Sequence, residues 1–225
     1  MTLKRQVEHK LDFIETYIPH DVQIIFVGHS IGAYIALEVS RLLERRERVL
    51  HQILLFPSIE RMDQTPGAHD LKVIVFFRFF LYIFTFFLSL LRDEILVNIN
   101  TFIQGSRPYQ PDCIIEATLQ MVNWKVVRNV IVMAQDEIVQ VQERCDRFIF
   151  ENRHKLTFVY CLEDRWSPLK FYRDLKRTLD ADIVILDTAI HAFVLDSRIT
   201  RDVVALVADR VQRAVGKKPL PITES

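Results

Sequence analysis

The chain has 225 residues, of which 50% are hydrophobic and 26% are charged, so it is long enough for one domain with a sizeable core. This balance excludes a disordered chain, a collagen-like chain and an acidic or basic tail protein. Lys plus Arg and Asp plus Glu number 29 each, and the resulting net charge of zero gives no global field that would attract nucleic acid.

The cysteines and the first residues both bear on the compartment. Cys113, Cys145 and Cys161 are odd in number and widely spaced, which indicates neither a metal site nor a disulfide framework. We therefore expect a reducing, cytosol-facing compartment. Residues 1–21 carry charges throughout and lack the apolar region of a signal peptide, so nothing suggests secretion.

The N-terminal third predicts a strand–helix–strand unit after an initial helix. Apolar residues at helical spacing predict that first helix over 4–18, ended by Pro19. Short β-branched runs predict buried strands over 22–27 and 51–56, and the amphipathic stretch between them predicts a helix over 33–48. Two buried strands joined by a helix imply a parallel sheet with a right-handed crossover.

The alternation of strands and helices stops in the middle of the chain and resumes in the last third. The later elements are predicted as a strand over 155–161, a helix over 168–179, a strand over 182–186 and a helix over 198–215. The chain is therefore predicted to be a single α/β domain, 1–225, with a parallel sheet interrupted by a helical insertion over 62–150.

A Gly-x-Ser-x-Gly motif, Gly28 to Gly32, joins the first predicted strand to its helix. In this context the motif is typical of a nucleophile elbow, whose turn is so tight that we expect a larger residue at either glycine to clash. Ser30 is the predicted nucleophile, and the N–H of Ile31 at the helix start is the predicted oxyanion donor. The alternative is a glycine-rich turn with a capping serine, as in a nucleotide-binding fold.

A serine nucleophile needs a base and an acid, which follow in the order serine, acid, histidine in this kind of fold. His191 follows the predicted strand over 182–186 and is the predicted base, although it could instead cap the last helix. The acid candidates are Glu163, Asp164 and Asp187. We favour Asp164, because it follows the preceding strand, whereas Glu163 is expected to point away and Asp187 is too close to the histidine in sequence. A turn-forming role is the alternative for Asp164.

Four segments of the chain resemble the lipid droplet-associated hydrolase family, a branch of the α/β-hydrolases: residues 28–32, 55–62, 164–168 and 190–193. The resemblance covers nearly the whole chain. It implies the triad Ser30, Asp164 and His191, with no metal and no cofactor. It also implies a serine esterase acting on neutral lipid esters, sterol esters favoured, at lipid droplets and the cytosolic face of the endoplasmic reticulum, with roles in lipid storage and turnover.

The sequence departs from the family pattern at its start. Family members carry further strands and a Pro-Gly-Asn-Pro-Gly-like loop before the first helix, and that loop is expected to give a second oxyanion donor. The resemblance therefore implies an N-terminally truncated α/β-hydrolase sheet whose first strand is an exposed edge. We expect this chain alone to be poorly soluble and weakly active on a short-chain ester, compared with a form extended by those strands.

A long apolar segment, 71–91, holds seven of the 16 phenylalanines. Its length could cross a bilayer, but Arg78 would be costly near the centre, and the segment interrupts a domain whose two ends must stay on one side. We therefore predict a surface helix or shallow hairpin on a phospholipid monolayer, with Lys72 and Arg92 reaching the head groups. The alternative is a buried cap helix.

Two further functions stay open on the sequence alone. One is a non-catalytic protein of the droplet or reticulum surface that retains an elbow it does not use. The other is an acyltransferase, because a lipid alcohol and water compete for the same acyl-enzyme.

Overall fold

A computed structural model of the protein describes residues 2–90, 117, 120 and 123–216. Cys113, Arg92 and the central part of the predicted insertion over 62–150 lie outside the described residues.

Helices and strands alternate along most of the described chain. In chain order they are α1 (Leu3–Tyr17), β1 (Ile24–His29), α2 (Ile31–Leu42), β2 (Val49–Leu55), α3 (Pro66–Phe76), α4 (Arg78–Leu88), α5 (Trp124–Gln140), α6 (Asp146–Asn152), β3 (Leu156–Glu163), α7 (Leu169–Thr178), β4 (Asp182–Ile190) and α8 (Ser197–Ala214). Helices α3 to α6 therefore stand between the second and third strands, where the insertion is predicted.

The four described strands form one parallel sheet in the order β1-β2-β3-β4. Successive residues of β2 face opposite sides: Leu54 packs with a cluster that includes residues of α2 and α7, and Ile53 packs with a cluster that includes residues of α8. Both faces of the central strands are therefore covered by helices, which is why those strands read as continuous apolar runs. β1 is an edge of the described sheet, and Val27 in it is half exposed.

The predicted helix over 33–48 is wrong at its C-terminal end, since α2 ends at Leu42. Leu43 takes an extended backbone, which buries its side chain in a cluster shared with α1. Arg48 is also buried, and its guanidinium donates hydrogen bonds to three carbonyls that follow α1, those of Ile18, Pro19 and Val22. The chain thus turns early because the two residues have buried partners on α1 and the loop after it.

The apolar segment forms two helices, α3 and α4, with axes bent by 72° at the break between them. In the described ranges, no single helix has the length and apolar character to cross a membrane, and only this bent pair taken together does. All seven phenylalanines of the segment are exposed, from 43% for Phe86 to 78% for Phe76. The alternative of a buried cap helix is therefore wrong for the described residues. The angle between the helices holds an apolar cleft of about 380 Å³.

Candidate active site

The turn between β1 and α2 has the backbone of a nucleophile elbow. Ser30 has φ 54° and ψ −121°, a conformation that is strained for a residue with a side chain. Its N–H donates to the carbonyl of Leu55 at 2.9 Å, and its own carbonyl accepts the N–H of Ser58 at 3.2 Å. The residues at and just after the end of β2 therefore hold the strained serine in place.

The two glycines of the motif differ in what surrounds them. A Cβ on Gly28 would lie 2.5 Å from the carbonyl oxygen of Gly32 and 2.8 Å from the Cα of Ala33, too close for either backbone to accommodate. A Cβ on Gly32 would meet no atom of the described residues within 4 Å. The expectation that a larger residue would clash is therefore confirmed at Gly28. At Gly32 the described residues leave room for a side chain, so a clash with them does not explain that glycine.

Replacing Gly28 by alanine is expected to destabilise the protein by about 3 kcal/mol or more, because backbone atoms cannot move aside cheaply. Gly32→Ala is the matched control and should change the free energy of unfolding by less than about 1 kcal/mol, since it lies near the start of a helix in open space. Urea unfolding of both variants measures the difference. Equal losses in the two proteins would contradict the argument.

The structure brings together the three side chains predicted as a triad. Ser30, Asp164 and His191 each follow a different strand of the parallel sheet, so all three lie at its carboxyl edge. His191 Nε2 is 2.9 Å from Ser30 Oγ, and His191 Nδ1 is 2.8 Å from Asp164 Oδ2. β4 runs on to Ile190 instead of ending near 186, which places His191 directly at the strand end.

The Asp164 side chain is fully buried and saturated with donors. Its Oδ1 accepts the N–H groups of Trp166 at 2.7 Å and Ser167 at 2.8 Å, while Oδ2 faces His191. Burial alone would raise the pKa of Asp164, but the hydrogen bond and electrostatic interaction with His191, together with the N–H groups of Ser167 and Trp166, outweigh it and lower the pKa. The carboxylate is therefore charged at neutral pH and holds the proton of the imidazole on Nδ1.

The other acid candidates lie elsewhere. Glu163 and Asp187 are both exposed, at the end of β3 and within β4 respectively. The carboxylate in contact with His191 Nδ1 is that of Asp164. The geometry at the sheet edge thus favours the acid chosen from the sequence.

Ile31 begins α2 directly after Ser30, and its N–H donates no hydrogen bond to any described residue. A free N–H beside the nucleophile, at the positive end of a helix dipole, is suited to an oxyanion. This position is consistent with the predicted donor role, which stays a prediction.

His29 contributes a contact that the sequence did not indicate. Its Nε2 lies 2.8 Å from the carbonyl oxygen of His191, so Nε2 carries the proton and donates it. The ring also packs edge-on against Phe56 and Phe193. Burial lowers the pKa of His29, and this outweighs the raising effect of the hydrogen bond. A neutral His29 therefore ties the nucleophile strand to the backbone of the proposed base.

Acid should weaken the contribution of His29 to stability. Because its pKa is lower in the folded protein than the ordinary value of about 6.5, the unfolded chain binds a proton more readily below that pH. We expect the free energy of unfolding of the native protein, relative to His29→Gln, to fall as the pH drops from about 7.5 to about 5. Burial raises the pKa of Glu137 to about 7, so protonation of Glu137 makes the folded protein more stable as the pH falls, the opposite of the effect of His29. The prediction therefore concerns the difference between the native protein and His29→Gln, in which the contribution of Glu137 cancels. Parallel pH curves would contradict it.

Two serines near the site, Ser58 and Ser167, were assigned no role from the sequence. Ser58 is buried, with its Oγ 3.3 Å from Ser30 Oγ, and buried Ser167 donates from Oγ to the carbonyl of Pro57 at 2.8 Å. Ser58 could have been found, because it follows the end of β2 at the same sheet edge. Ser167 has the same signal, because it follows the end of β3 shortly after Asp164.

The loop that carries Asp164 also contacts helix α3. A Cβ on Gly67, in the first turn of α3, would lie 2.5 Å from the indole of Trp166. The N–H of Gly67 donates to the carbonyl of Arg165 at 2.8 Å, and Arg165 forms an ion pair with Asp70.

Within residues 2–90 and 123–216, no group of three or more His, Cys, Asp or Glu side chains is placed to hold a metal ion.

Comparison with known proteins gives consistent matches along the chain. A family model described as lipid-droplet associated hydrolase matches residues 1–194. Lipid droplet-associated hydrolase of Mus musculus is 34% identical over 221 residues, covering 96% of this chain and 66% of that protein. The protein of the same name from Gallus gallus is 32% identical over 210 residues, covering 92% and 64%. The chain thus spans about two thirds of the length of these curated relatives.

Solved structures are similar in fold. The 2-hydroxy-6-oxo-6-phenylhexa-2,4-dienoate hydrolase of Rhodococcus sp. has a TM-score of 0.62 at 17% identity, with 93% of this chain and 70% of that chain covered. An α/β hydrolase from a Medee basin deep-sea metagenome library has a TM-score of 0.59 at 16% identity, with 99% and 75% covered. The predicted α/β-hydrolase fold is confirmed.

Proposed function

Because the chain belongs to the lipid-droplet associated hydrolase family, we propose that it is a serine hydrolase that cleaves neutral lipid esters, with sterol esters favoured. The observation that carries the proposal is the hydrogen-bonded series from Ser30 through His191 to Asp164. These contacts combine a strained, accessible serine with a base held in one tautomer by a buried carboxylate, which is the arrangement that activates a hydroxyl.

The proposed reaction proceeds through an acyl-enzyme. Ser30 Oγ attacks the ester carbonyl while its proton passes to His191 Nε2, and the N–H of Ile31 donates to the oxyanion that forms. The C–O bond to the alcohol breaks, and the departing oxygen takes the proton from Nε2. Water then attacks the acyl group, gives a proton to His191, and releases the acid as Ser30 recovers its own. Asp164 keeps the imidazole oriented throughout.

The lipid surface is the second part of the proposal. The exposed phenylalanines of α3 and α4 form an apolar patch, and aromatic and aliphatic side chains of this kind gain free energy on entering the acyl region of a lipid layer. We propose that this patch rests on the phospholipid monolayer of a lipid droplet, with the cytosolic face of the endoplasmic reticulum as a second location. The side chain of Lys72, on α3, can extend toward the head groups.

Reaction with a fluorophosphonate probe tests the nucleophile directly. We expect the purified chain to be labelled once, at Ser30 by peptide mapping, and Ser30→Ala to remain unlabelled. The matched control is Ser40→Ala, which removes a buried hydroxyl bonded to Gln52 and should leave labelling intact.

The outcome that contradicts the proposal is a folded native chain that does not react with the probe. That result would favour the non-catalytic surface protein. A labelled enzyme that transfers its acyl group to a lipid alcohol faster than to water would instead favour the acyltransferase, since both reactions share the same first step.

A further inference from the structure

We infer that Ser58 is a further catalytic residue, whose hydroxyl donates a hydrogen bond to Ser30 Oγ and speeds the breakdown of the acyl-enzyme; this inference rests on the proposed function. The two hydroxyl oxygens are 3.3 Å apart, and Ser58 is 1% exposed. Among the described residues, Ser58 Oγ has no other hydrogen-bond partner. A buried hydroxyl directed at the nucleophile is not a solvated surface serine.

The direction of this hydrogen bond follows from the proton positions in the relay. Asp164 is an acceptor, so His191 carries its proton on Nδ1 and leaves Nε2 as an acceptor. The single proton of Ser30 Oγ therefore points to Nε2. With that proton engaged, the hydroxyl of Ser58 must be the donor in the contact between the two serines.

The position of Ser58 is fixed from two sides. Its backbone N–H donates to the carbonyl of Ser30, and the N–H of Phe56 donates to the carbonyl of Val159 at 2.7 Å. Pro57 accepts the hydroxyl proton of Ser167, whose backbone N–H is in turn bound by the carboxylate of the proposed acid. The loop thus ties the nucleophile to the acid, and the Ser58 hydroxyl is oriented before any substrate binds.

A donor at Ser30 Oγ affects the two half-reactions differently. Acylation starts from free Ser30, whose hydroxyl oxygen already accepts this hydrogen bond well, so the partial charge on Oγ in the transition state adds little to it. Deacylation starts from the acyl-enzyme, in which Oγ is an ester oxygen and a poorer acceptor. The bond between the acyl carbon and Oγ then breaks, its electron pair goes to Oγ as the proton returns from His191 Nε2, and the hydrogen bond from Ser58 strengthens as charge builds on that oxygen. The Ser58 proton itself is not transferred.

Stopped-flow kinetics with a p-nitrophenyl ester in detergent separates the two steps, because acylation releases the phenol in a burst and deacylation sets the steady rate. In Ser58→Ala we expect the burst rate and fluorophosphonate labelling to stay within about threefold of the native chain. The steady rate should fall about tenfold, with acyl-enzyme accumulating. Ser40→Ala again controls for the loss of a buried hydroxyl and should change neither rate.

Any other pattern of rates contradicts either the role of Ser58 or the proposed function. If both rates fall together, Ser58 only supports the fold of the elbow, and if neither falls, the hydroxyl has no role; either result overturns the inference. If circular dichroism shows that Ser58→Ala is unfolded, Ser58→Cys, with a nearly isosteric but weaker donor, must show the same selective loss in deacylation. A native chain with neither a burst nor labelling at Ser30 defeats the proposed function itself, and Ser58 is then no catalytic residue.

Discussion

Replacing Asp164 by asparagine is expected to lower kcat for ester hydrolysis about 10⁴-fold while the protein stays folded. Asp164 Oδ2 accepts the Nδ1 proton of His191, which leaves Nε2 free to take the proton of Ser30. An amide group at that position would donate to Nδ1 and move the imidazole proton to Nε2, where the ring can no longer act as a base. The asparagine carbonyl can still accept the N–H groups of Trp166 and Ser167, so the loop is preserved.

Asp187→Asn is the matched control, because it makes the same chemical change four residues before His191, at an exposed site within β4. It should keep turnover within about twofold of the native chain, as surface substitutions usually do. Both proteins are compared on a short-chain ester per mole of folded protein. Similar losses in the two variants would mean that Asp164 does not orient the base.

Changing Phe76 and Phe80 together to serine is expected to weaken binding to lipid droplets about 10²-fold or more. They are the two most exposed phenylalanines of the segment, at 78% and 74%, and they stand on α3 and α4 on either side of the bend. Burying one phenyl side chain contributes roughly 1.5–3 kcal/mol, so two together account for that loss. Flotation with sterol-ester droplets coated by phosphatidylcholine measures the bound fraction.

The control for this experiment uses two other exposed phenylalanines, Phe13 on α1 and Phe150 on α6. Changing both to serine removes the same chemical groups outside the apolar patch and should leave flotation unchanged. Deleting residues 71–91 altogether should shift the protein to the soluble fraction. Unchanged flotation after the Phe76 and Phe80 substitutions would show that another part of the chain holds the lipid.

The strands and the elbow were predictable because their signals are local. Buried parallel strands need β-branched residues on both faces, as in 51–56, and the close approach of Gly28 to the backbone of Gly32 admits no side chain. The order of serine, acid and histidine along a parallel sheet then places Asp164 and His191 at one edge. Each step depends only on sequence neighbours and on the rule that parallel strands end on the same side.

The features that the sequence did not reveal depend on partners far along the chain. From the sequence, Arg48 is expected on the exposed surface of a helix, because its hydrogen bonds to the carbonyls after α1 involve residues about 30 positions earlier in the chain. The bend after Phe76 lies in a run of apolar residues without proline or glycine, so no local breaker marks it. The contact between Ser58 and Ser30 requires the register of β1 against β2, which hydrophobic patterns do not determine to one residue.

The absence of a side chain on Gly67 has a mechanical consequence for the proposed contact with a lipid layer. The first turn of α3 lies flush against the indole ring of Trp166, with no compressible side chain between them. The backbone N–H of the same tryptophan holds Asp164. Helix α3 therefore cannot incline toward that loop without pressing on the group that steadies the carboxylate. A change in the tilt of α3 at a lipid surface would therefore be transmitted through Trp166 to Asp164, the carboxylate that contacts His191.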